Sequence, residues 1–399
     1  MPESLSPSQR HAAPSFMEQA QQLADSFKAT AAERDARGGT PLAERNQLRA
    51  SGLLALSIPR QYGGLGADWA DTLAVVRRLA QADSSLAHVF GFQHLMLATV
   101  QLFGQPQQWQ PWLEQTARHQ WFWGNALNPL DRRTLSRRVA GGREFSGHKS
   151  FCSGAADAQM LIASALDESA DGRLLIAAIP ADRSGITVHG DWDNIGQRQT
   201  DSGSVSFERV RVEEQELLLE PGPLSTPYSC LRPLLAQLIF TNLFVGVAEG
   251  AFEDARHYTR HHARPWFRAG VASASADPYV LHHYGEFWAA LEGARLLTDR
   301  ANQQFDHAWQ QGARLNAAER GALAVAITTA KVAASRTGLD LSSRLFEVTG
   351  ARATHGPLRL DRYWRNLRTQ TLHDPLDYKL NELGDWALNG QSPTPTFYS

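Results

Sequence analysis

The sequence predicts a mainly α-helical protein with a central β-domain, because the period of its apolar residues changes twice along the chain. Apolar residues recur at helical spacing up to about residue 118, in short β-rich runs from 121 to about 220, and at helical spacing again from 231 to 388. We therefore expect an N-terminal helical domain over 15–120, a β-domain over 121–220 and a C-terminal helical bundle over 221–399.

Several separate helices are predicted in the N-terminal zone. Its apolar residues lie three or four positions apart, and the glycine-rich segment Gly63–Gly66 interrupts the pattern. Asp83–Ser85 is a typical N-cap signal, and Pro106 is expected to open a further short helix.

Strands are predicted at Met160–Ala165, Leu174–Ile179 and Ser204–Val212, since these runs are short, rich in β-forming residues and separated by Gly, Asp and Pro. The last run alternates apolar and polar residues in the manner of a half-buried strand. This zone predicts a small antiparallel β-domain.

Two Ala-rich stretches in the C-terminal zone, 234–262 and 317–350, run for about thirty residues each with few helix breakers. Gly350 is a candidate C-cap. Residues 265–278, rich in Gly, Ala and Ser, are expected to form a loop. Two helices of this length predict a four-helix bundle with a substantial buried face.

Composition excludes several classes of protein. With 43% hydrophobic and 20% charged residues and a net charge of −2, the chain is expected to bind neither nucleic acid nor membrane. Cys152 and Cys230 are the only cysteines and lie far apart, which argues against a disulfide framework and favours the cytoplasm. The polar N-terminus up to Phe16 lacks the apolar core of an export signal.

Six segments, in sequence order, resemble the acyl-CoA dehydrogenase superfamily from about residue 15 onward. They are IPRQYGGLGAD at 58–68, WGNALNPLDRR at 123–133, GHKSFCSGA at 147–155, IGQRQTDSGSVSFERVRV at 195–212, RPWFRAG at 264–270 and TGARATHGPLRLDRYWRNLR at 349–368. The resemblance implies the acyl-CoA dehydrogenase fold, with an N-terminal helical domain, an antiparallel β-barrel-like domain and a C-terminal four-helix bundle.

The dehydrogenase reaction needs a glutamate that abstracts a substrate α-proton. No glutamate occurs in 365–375, where this family commonly carries it, and His373 lies at about that position. The second known location, near HHARPW at 261–266, also lacks a carboxylate, although Glu249 and Glu253 lie upstream. The chain therefore resembles the flavin-dependent (group D) monooxygenase branch, including dibenzothiophene monooxygenase and the small-organosulfur alkanesulfinate and sulfone monooxygenases.

The resemblance implies a two-component enzyme that takes FMN as FMNH2 from a separate NAD(P)H-dependent flavin reductase. With O2 it would form a flavin C4a-hydroperoxide and oxygenate a small organosulfur substrate, such as an alkanesulfinate, in sulfur assimilation. Gly63–Gly66 does not follow a predicted strand, so no dinucleotide-binding fingerprint is present, which agrees with an external supply of reduced flavin. The family also implies a homotetramer.

Three residues resemble the branch's catalytic positions. His88 and His373 match histidines that flank the flavin adduct, where imidazole can hold or protonate its distal oxygen. Ser153 matches a loop serine near the N5/C4a edge of the flavin. The alternatives are two packing histidines and a serine that caps the turn before Gly154.

Further residues resemble the branch's cofactor contacts: Asn125, Asn128, Phe151, Ser153, Arg264, Arg268 and Arg352. Asn128 can instead cap a turn with Pro129, and Arg264 with Arg268 can instead be a solvated pair. Arginine suits flavin phosphate well, and Arg352 is expected to reach the flavin of a neighbouring subunit.

Phe92, Trp266 and Trp309 are candidate substrate-pocket residues, although aromatic residues at helical positions are often core. Phe92 stands where dibenzothiophene monooxygenases commonly have tyrosine. No metal site is expected, because the paired histidines His261–His262 and His282–His283 point to different helix faces without a carboxylate at ligand spacing. Cys152 lacks an activating neighbour and is expected to be a packing residue.

Four alternatives remain open. The chain can be a dibenzothiophene-type S-oxygenase, an N-oxygenating or aromatic-hydroxylating relative, an acyl-CoA dehydrogenase with its base displaced to Glu249 or Glu253, or a bundle protein that has lost flavin. The sequence does not decide the substrate, the number of oxygenation steps, or FMN against FAD.

Overall fold

The computed structural model describes residues 15–169 and 172–399. The expected lack of an export signal concerns the N-terminus up to Phe16, and residues 1–14 lie outside the described part. The domain limits 15–120, 121–220 and 221–399 stay predictions.

The N-terminal part is helical: α1 Phe16–Arg37, α2 Leu42–Ser51, α3 Trp69–Ala82, α4 Ser84–Phe103 and α5 Pro106–His119. The N-cap prediction is confirmed at α4, where the Asp83 carboxylate accepts hydrogen bonds from the backbone N–H groups of Ser85 and Leu86. Pro106 is the first residue of α5, as predicted.

The middle part is a curled sheet of strands β1 Trp123–Ala126, β2 Leu135–Val139, β3 Gly142–Lys149, β4 Met160–Asp167, β5 Leu174–Pro180, β6 Ile186–Val188 and β7 Val205–Glu213. The strand order is β1-β4-β2-β3-β7-β6, with β5 on the other edge of β4. The three predicted strands correspond to β4, β5 and β7.

The predicted antiparallel pairing is confirmed for four of the six strand pairs, and two pairs are parallel instead. β1 pairs in parallel with β4 from Trp123↔Met160 to Ala126↔Ala163, and β2 pairs in parallel with the end of β4. Parallel pairs need a long crossover connection, which is usually a helix. Here the β2–β3 hairpin occupies the connection between β1 and β4, so the sequence pattern carried no helical signal for it.

The C-terminal part contains α6 Leu231–His261, α7 Pro278–Gln311, α8 Ala317–Thr349, α9 Asp361–Thr371 and α10 Leu376–Asn389. Both predicted long helices, α6 and α8, are confirmed, and Gly350 caps α8. The sequence analysis did not predict α7, which has 34 residues and is about as long as α6 and α8. The predicted loop at 265–278 is confirmed apart from one short turn at Ala274–Ala276 and the start of α7.

One apolar core runs continuously through the N-terminal helices and the C-terminal bundle, and a second, smaller core lies within the sheet. α4 and α6 are long and apolar enough to cross a membrane, but 94% and 100% of their apolar windows are buried inside the protein. Their composition is therefore that of core helices.

α3 and α6 cross at very short range because glycines remove the side chains between them. A Cβ added at Gly246 would lie 2.4 Å from the Arg77 carbonyl oxygen, and one at Gly250 would lie 2.2 Å from that of Gln81. Real Cβ atoms do not approach a carbonyl this closely, so any side chain here must push the helices apart.

We expect Gly250→Ala to lower the free energy of unfolding by about 1–3 kcal/mol, the usual cost of overpacking a rigid contact. Gly384→Ala in α10 is the matched control, because an added Cβ there meets nothing within 4 Å. It should be neutral or stabilising by up to about 1 kcal/mol. Equal thermal unfolding temperatures for the two variants would contradict the close crossing.

Candidate active site

One cavity of about 680 Å³ lies where α4, the loops of the sheet, α6, the end of α9 and the C-terminal tail meet. Its volume lies within the range of small-molecule and cofactor sites. It brings together seven residues that the sequence analysis placed in the site: His88, Phe92, Asn125, Asn128, Phe151, Ser153 and His373.

The other predicted site residues do not line this cavity. Arg264 and Arg352 line a separate cavity of about 1080 Å³, and the Arg268 guanidinium lies 5.9 Å from the centre of the Phe267 ring. Trp266 is 67% exposed. Trp309 packs against Trp69, at 5.2 Å between ring centroids, so within this chain it has the core position that helical aromatics often take.

Ser153 lies on a tight loop after β3. Phe151 has a φ of +58°, a left-handed conformation that is uncommon for a phenylalanine. The Ser153 hydroxyl lies 2.7 Å from that of Ser202, which lies 2.7 Å from that of Thr200. Thr200 donates in turn to the Gln197 carbonyl at 3.0 Å. This chain of hydroxyls fixes the Ser153 side chain at the cavity wall.

His88 is buried, and neither ring nitrogen has a hydrogen-bond partner in the described part of the chain. Its ring stacks on Phe92 at 4.2 Å and faces Phe240 at 5.7 Å. Burial, with a smaller contribution from His373, lowers the pKa of His88 to about 3. His88 is therefore a neutral imidazole near pH 7, with donor and acceptor capacity that the fold itself does not use.

His373 follows α9 and faces the same aromatic cluster. Its ring lies 4.8 Å from Phe240 and 5.6 Å from Tyr398. Although its side chain is open to the cavity, the dense protein around it and the positive charge of Lys331 lower its pKa to about 4. Two neutral histidines therefore face one cavity from different elements.

The two asparagines differ in how much of each side chain is free. The Asn125 backbone N–H donates to the Ser153 carbonyl at 2.9 Å, and its side-chain oxygen accepts from Leu127, which leaves its amide nitrogen without a partner among residues 15–169 and 172–399. Asn128 uses both ends, donating to Ser150 and accepting from Leu130. These contacts favour the turn-capping alternative for Asn128.

Among the residues that the structure describes, no carboxylate is placed to act as a dehydrogenase base. Glu249 accepts from Gln81 at 2.6 Å and from Arg295 at 2.8 Å, outside the cavity, and Glu253 pairs with Arg256. The cavity-lining carboxylate, Asp193, has a side chain that is 90% exposed. The structure thus gives no support to a base displaced to Glu249 or Glu253.

Cys152 is 1% exposed, and burial raises the pKa of its thiol to about 12, so it is a packing residue and no nucleophile. Within the described ranges no three His, Cys, Asp or Glu side chains converge as metal ligands would. The expectation about metals stays a prediction.

Sequence reasoning missed several cavity residues. Gln197, Thr200 and Ser202 lie within the fourth resembling segment, but nothing in that segment marked them individually. Arg232 and Arg368 also line the cavity. The available signal for Arg232 was a charged residue at the start of an otherwise apolar helix.

The cavity fits a flavin. A flavin ring is planar and carries hydrogen-bond donors and acceptors along its edges. Phe151 and Trp192 meet edge-on, at 6.0 Å between ring centroids, and supply aromatic surface, while the Gln197 side-chain oxygen and the Thr369 hydroxyl are buried without partners in the described chain. Such unused polar atoms in an aromatic cleft are what an edge-bonded planar ligand requires.

Helices, a curled sheet and a helical bundle around a cavity of this kind define a flavin-dependent oxidoreductase of the acyl-CoA dehydrogenase architecture. The family models for the acyl-CoA dehydrogenase N-terminal and C-terminal domains match residues 13–120 and 238–378. Pseudomonas putida SfnC, described as a probable FMNH2-dependent monooxygenase, is 68% identical over 95% of this chain and 96% of its own.

Two solved structures are similar over nearly the full chain. Methanesulfinate monooxygenase MsuC from Pseudomonas fluorescens is 70% identical, with a TM-score of 0.96 and coverage of 97% of this chain and 100% of that one. FMN-bound TdsC from Paenibacillus sp. A11-2 is 43% identical, with a TM-score of 0.92 and coverage of 96% and 99%. The chain therefore belongs to the acyl-CoA dehydrogenase family and, with these relatives, to its flavin-dependent monooxygenases.

We expect His88→Phe to make unfolding less sensitive to acid. A histidine with a folded pKa near 3 and an ordinary pKa near 6.5 takes up a proton only when the chain unfolds, so its stabilising effect is full above pH 6.5 and is lost as the pH falls towards 3. When the pH falls from 7 to 5, His88 lowers the free energy of unfolding of the wild type by about 2 kcal/mol. His88→Phe should not show this decrease.

His94 provides the internal comparison, because it too is buried with a pKa of about 3 but lies outside the cavity and bonds Ser57. The acid-induced loss of stability that His94 contributes should therefore remain in His88→Phe. The free energy of unfolding is measured by denaturant titration at pH 7 and 5. The same acid-induced loss in wild type and His88→Phe would show that His88 is not held neutral.

Proposed function

We propose that this protein is an FMNH2-dependent monooxygenase that oxygenates the sulfur of a small organosulfur anion, such as an alkanesulfinate, in sulfur assimilation. The balanced reaction is FMNH2 + O2 + R–SO2⁻ → FMN + H2O + R–SO3⁻. The carrying observation is the cavity with two neutral histidines and no buried carboxylate, which suits oxygen transfer and not α-proton abstraction. The similarity to SfnC supports the FMNH2-dependent reaction, and the similarity to the methanesulfinate monooxygenase MsuC supports the substrate class.

The residues that would hold the flavin come mainly from the sheet loops. Gln197 and Asn125 offer amide groups to the ring edge, Phe151 and Trp192 offer aromatic surface, and Arg368, whose guanidinium has no partner in the described chain, offers a cation for the phosphate. Bound in its reduced form, FMN supplies the two electrons and the carbon at which O2 reacts.

The side chains of this protein would hold or transfer one proton and would exclude water from the cavity. The neutral rings of His88 and His373 can each donate one N–H to an oxygen and accept at the other nitrogen. The Ser153 hydroxyl is oriented by Ser202 and can donate to the same region. Phe92 and Phe240 surround the histidines and keep water away from them.

The enzyme is expected to work with a separate NAD(P)H-dependent flavin reductase in the cytoplasm and to assemble as a homotetramer. Large apolar side chains lie exposed along α7, including Tyr279 at 78%, Trp288 at 51% and Leu296 at 66%, and along α10, including Trp386 and Leu388. Exposed apolar surface of this extent is typical of a subunit interface.

A second copy also explains the arginines that miss the cavity. The cavity around Arg264 and Arg352 further contains Lys28 and four histidines, while its one carboxylate, Asp254, is already bound by Lys28 and Arg362. A basic surface with its carboxylate occupied suits a phosphate. We propose that these arginines, with Arg268, contact the FMN of a neighbouring subunit.

We expect His373→Ala to lower sulfonate formation by about 100-fold or more, the usual contribution of a positioned acid–base group. Ser153→Ala removes one hydrogen bond and should cost about tenfold. Both should release more H2O2 per NADH consumed while folding normally. The measurement is product and peroxide yield with methanesulfinate, reduced FMN and a reductase.

Ser164→Ala is the matched control, because Ser164 is buried in β4 away from the cavity and its hydroxyl has no partner in the described chain. Its coupling, the product formed per NADH consumed, should equal that of the wild type. Unchanged coupling in both site variants would remove Ser153 and His373 from the site. Dibenzothiophene in the same assay tests the aromatic-sulfide alternative.

The shared site predicts that two inactive variants restore each other. We expect His373→Ala and the Arg264→Ala/Arg268→Ala double variant, each of low activity alone, to regain about a quarter of the wild-type rate when co-expressed, since random mixing gives that fraction of sites an intact half from each chain. No recovery in mixed tetramers would place these arginines in their own subunit's site or outside any site.

A further inference from the structure

We infer that Arg232 binds the anionic oxygens of the substrate and makes the enzyme prefer anionic sulfur compounds to neutral ones. This inference rests on the proposed function, because it assigns the substrate's charged group to a residue of that same site.

Arg232 is the second residue of α6 and lines the cavity although it is only 6% exposed. Its Nε donates to the Thr99 hydroxyl at 3.3 Å. Neither terminal nitrogen has a hydrogen bond or an ion pair within residues 15–169 and 172–399. Four N–H bonds of a buried guanidinium therefore remain for a ligand.

The other buried arginines of the described chain all have oxygen partners. Arg34 binds Asp83 at 2.5 Å, Arg45 binds Asp201 at 2.8 Å and Arg143 binds Asp167 at 2.8 Å. Arg362 binds Asp254, and Arg320 binds carbonyl oxygens of the C-terminal tail. Arg232 is the exception in this set.

The buried carboxylate next to the cavity-lining His373 is already neutralised. Asp374 binds Lys331 at 3.0 Å and lies 3.4 Å from Lys379, and Glu382 binds Lys379 at 3.2 Å. Within the described residues, Arg232 forms no ion pair with any carboxylate. Burial without a counter-ion is costly and lowers the pKa of Arg232 to about 10, so it still carries its charge at pH 7.

The position suits the substrate better than the flavin. Arg232, His373 and Tyr398 line the same cavity. Burial lowers the pKa of His373 and raises that of the Tyr398 phenol, and the charge of Arg232 adds a smaller downward contribution to each. The groups that match the flavin ring, Gln197 and Phe151, come instead from the sheet loops. A sulfinate presents two oxygens that match the guanidinium fork, and binding there would hold its sulfur beside the catalytic histidines.

The test measures binding without turnover. Protein loaded with oxidised FMN is titrated calorimetrically with methanesulfinate and with dimethyl sulfoxide, a neutral molecule of similar size. We expect R232M to weaken methanesulfinate binding at least about 30-fold, as for loss of one partner of a buried charge pair. R232K, which keeps the charge without the fork, should be intermediate.

Three readouts separate this role from a structural one. R232M should keep wild-type affinity for FMN, should bind dimethyl sulfoxide as well as wild type does, and should raise KM for methanesulfinate more than it lowers kcat. R336M makes the same substitution at an exposed position of α8 and should change none of these values.

Wild-type affinity for methanesulfinate in R232M, or loss of FMN binding in R232M, would overturn the inference while leaving the proposed function intact. If wild-type enzyme with FMNH2 does not convert methanesulfinate at all, the proposed function fails instead. In that case, methanesulfinate binding that disappears in R232M would still support an anion site, and binding that persists would overturn it.

Discussion

The short segment Gln197–Ser202 is the point on which the rest of the site depends, because it joins three parts of the chain through buried polar contacts. Arg34 of α1 binds both Asp83 and Gln199, and Arg45 of α2 binds Asp201. Gln197 donates its side chain to Ser84 and its backbone N–H to Asn366 of α9. Displacing one partner of a buried ion pair strongly destabilises the fold, because it leaves an uncompensated buried charge. This segment therefore holds the sheet, the N-terminal helices and the bundle in one arrangement. Ser153, His88 and His373, each from a different part, can therefore face one cavity.

Helix α6 has two roles, because it is part of the apolar core and also contributes residues to the cavity wall. Every residue of Leu231–Phe252 is buried, and the glycines that let α3 approach leave no room for the two helices to move closer. Its first turns carry Arg232 and Gln237 into the cavity wall, and Phe240 packs against His373 just behind it. Phe240 contacts both His88 and His373, so part of the apolar surroundings that keep them neutral belongs to this buried helix. Rigid support of this kind is what positions acid–base groups for catalysis.

The sequence predicted most of the fold for a physical reason: helical and β periodicities differ, and caps such as Asp83 and Gly350 mark their ends. It failed on the parallel pairing of β1 with β4, which depends on how a hairpin is routed and leaves no periodic trace. Of the residues that line the cavity, it singled out Ser153 within a segment that resembles a known family, and His88 and His373 by resemblance at single positions. It missed Gln197 and Arg232, because a glutamine in a loop and an arginine at a helix start have many ordinary uses. Only the burial of their unpaired atoms distinguishes them, and burial is a property of the tertiary structure.

Unpaired buried polar atoms are rare in folded proteins because each costs stability, and several gather around this one cavity. The two nitrogens of His88, the side-chain oxygen of Gln197 and the hydroxyl of Thr369 have no partners within the described chain, and neither do the terminal nitrogens of Arg232. Such groups differ in what they can receive. The amide and hydroxyl suit the polar edge of a neutral ring, the neutral imidazoles suit a proton in transit, and the guanidinium suits an anion. A ligand that bonds these groups offsets part of the cost of burying them, so whatever occupies the cavity stabilises the folded chain.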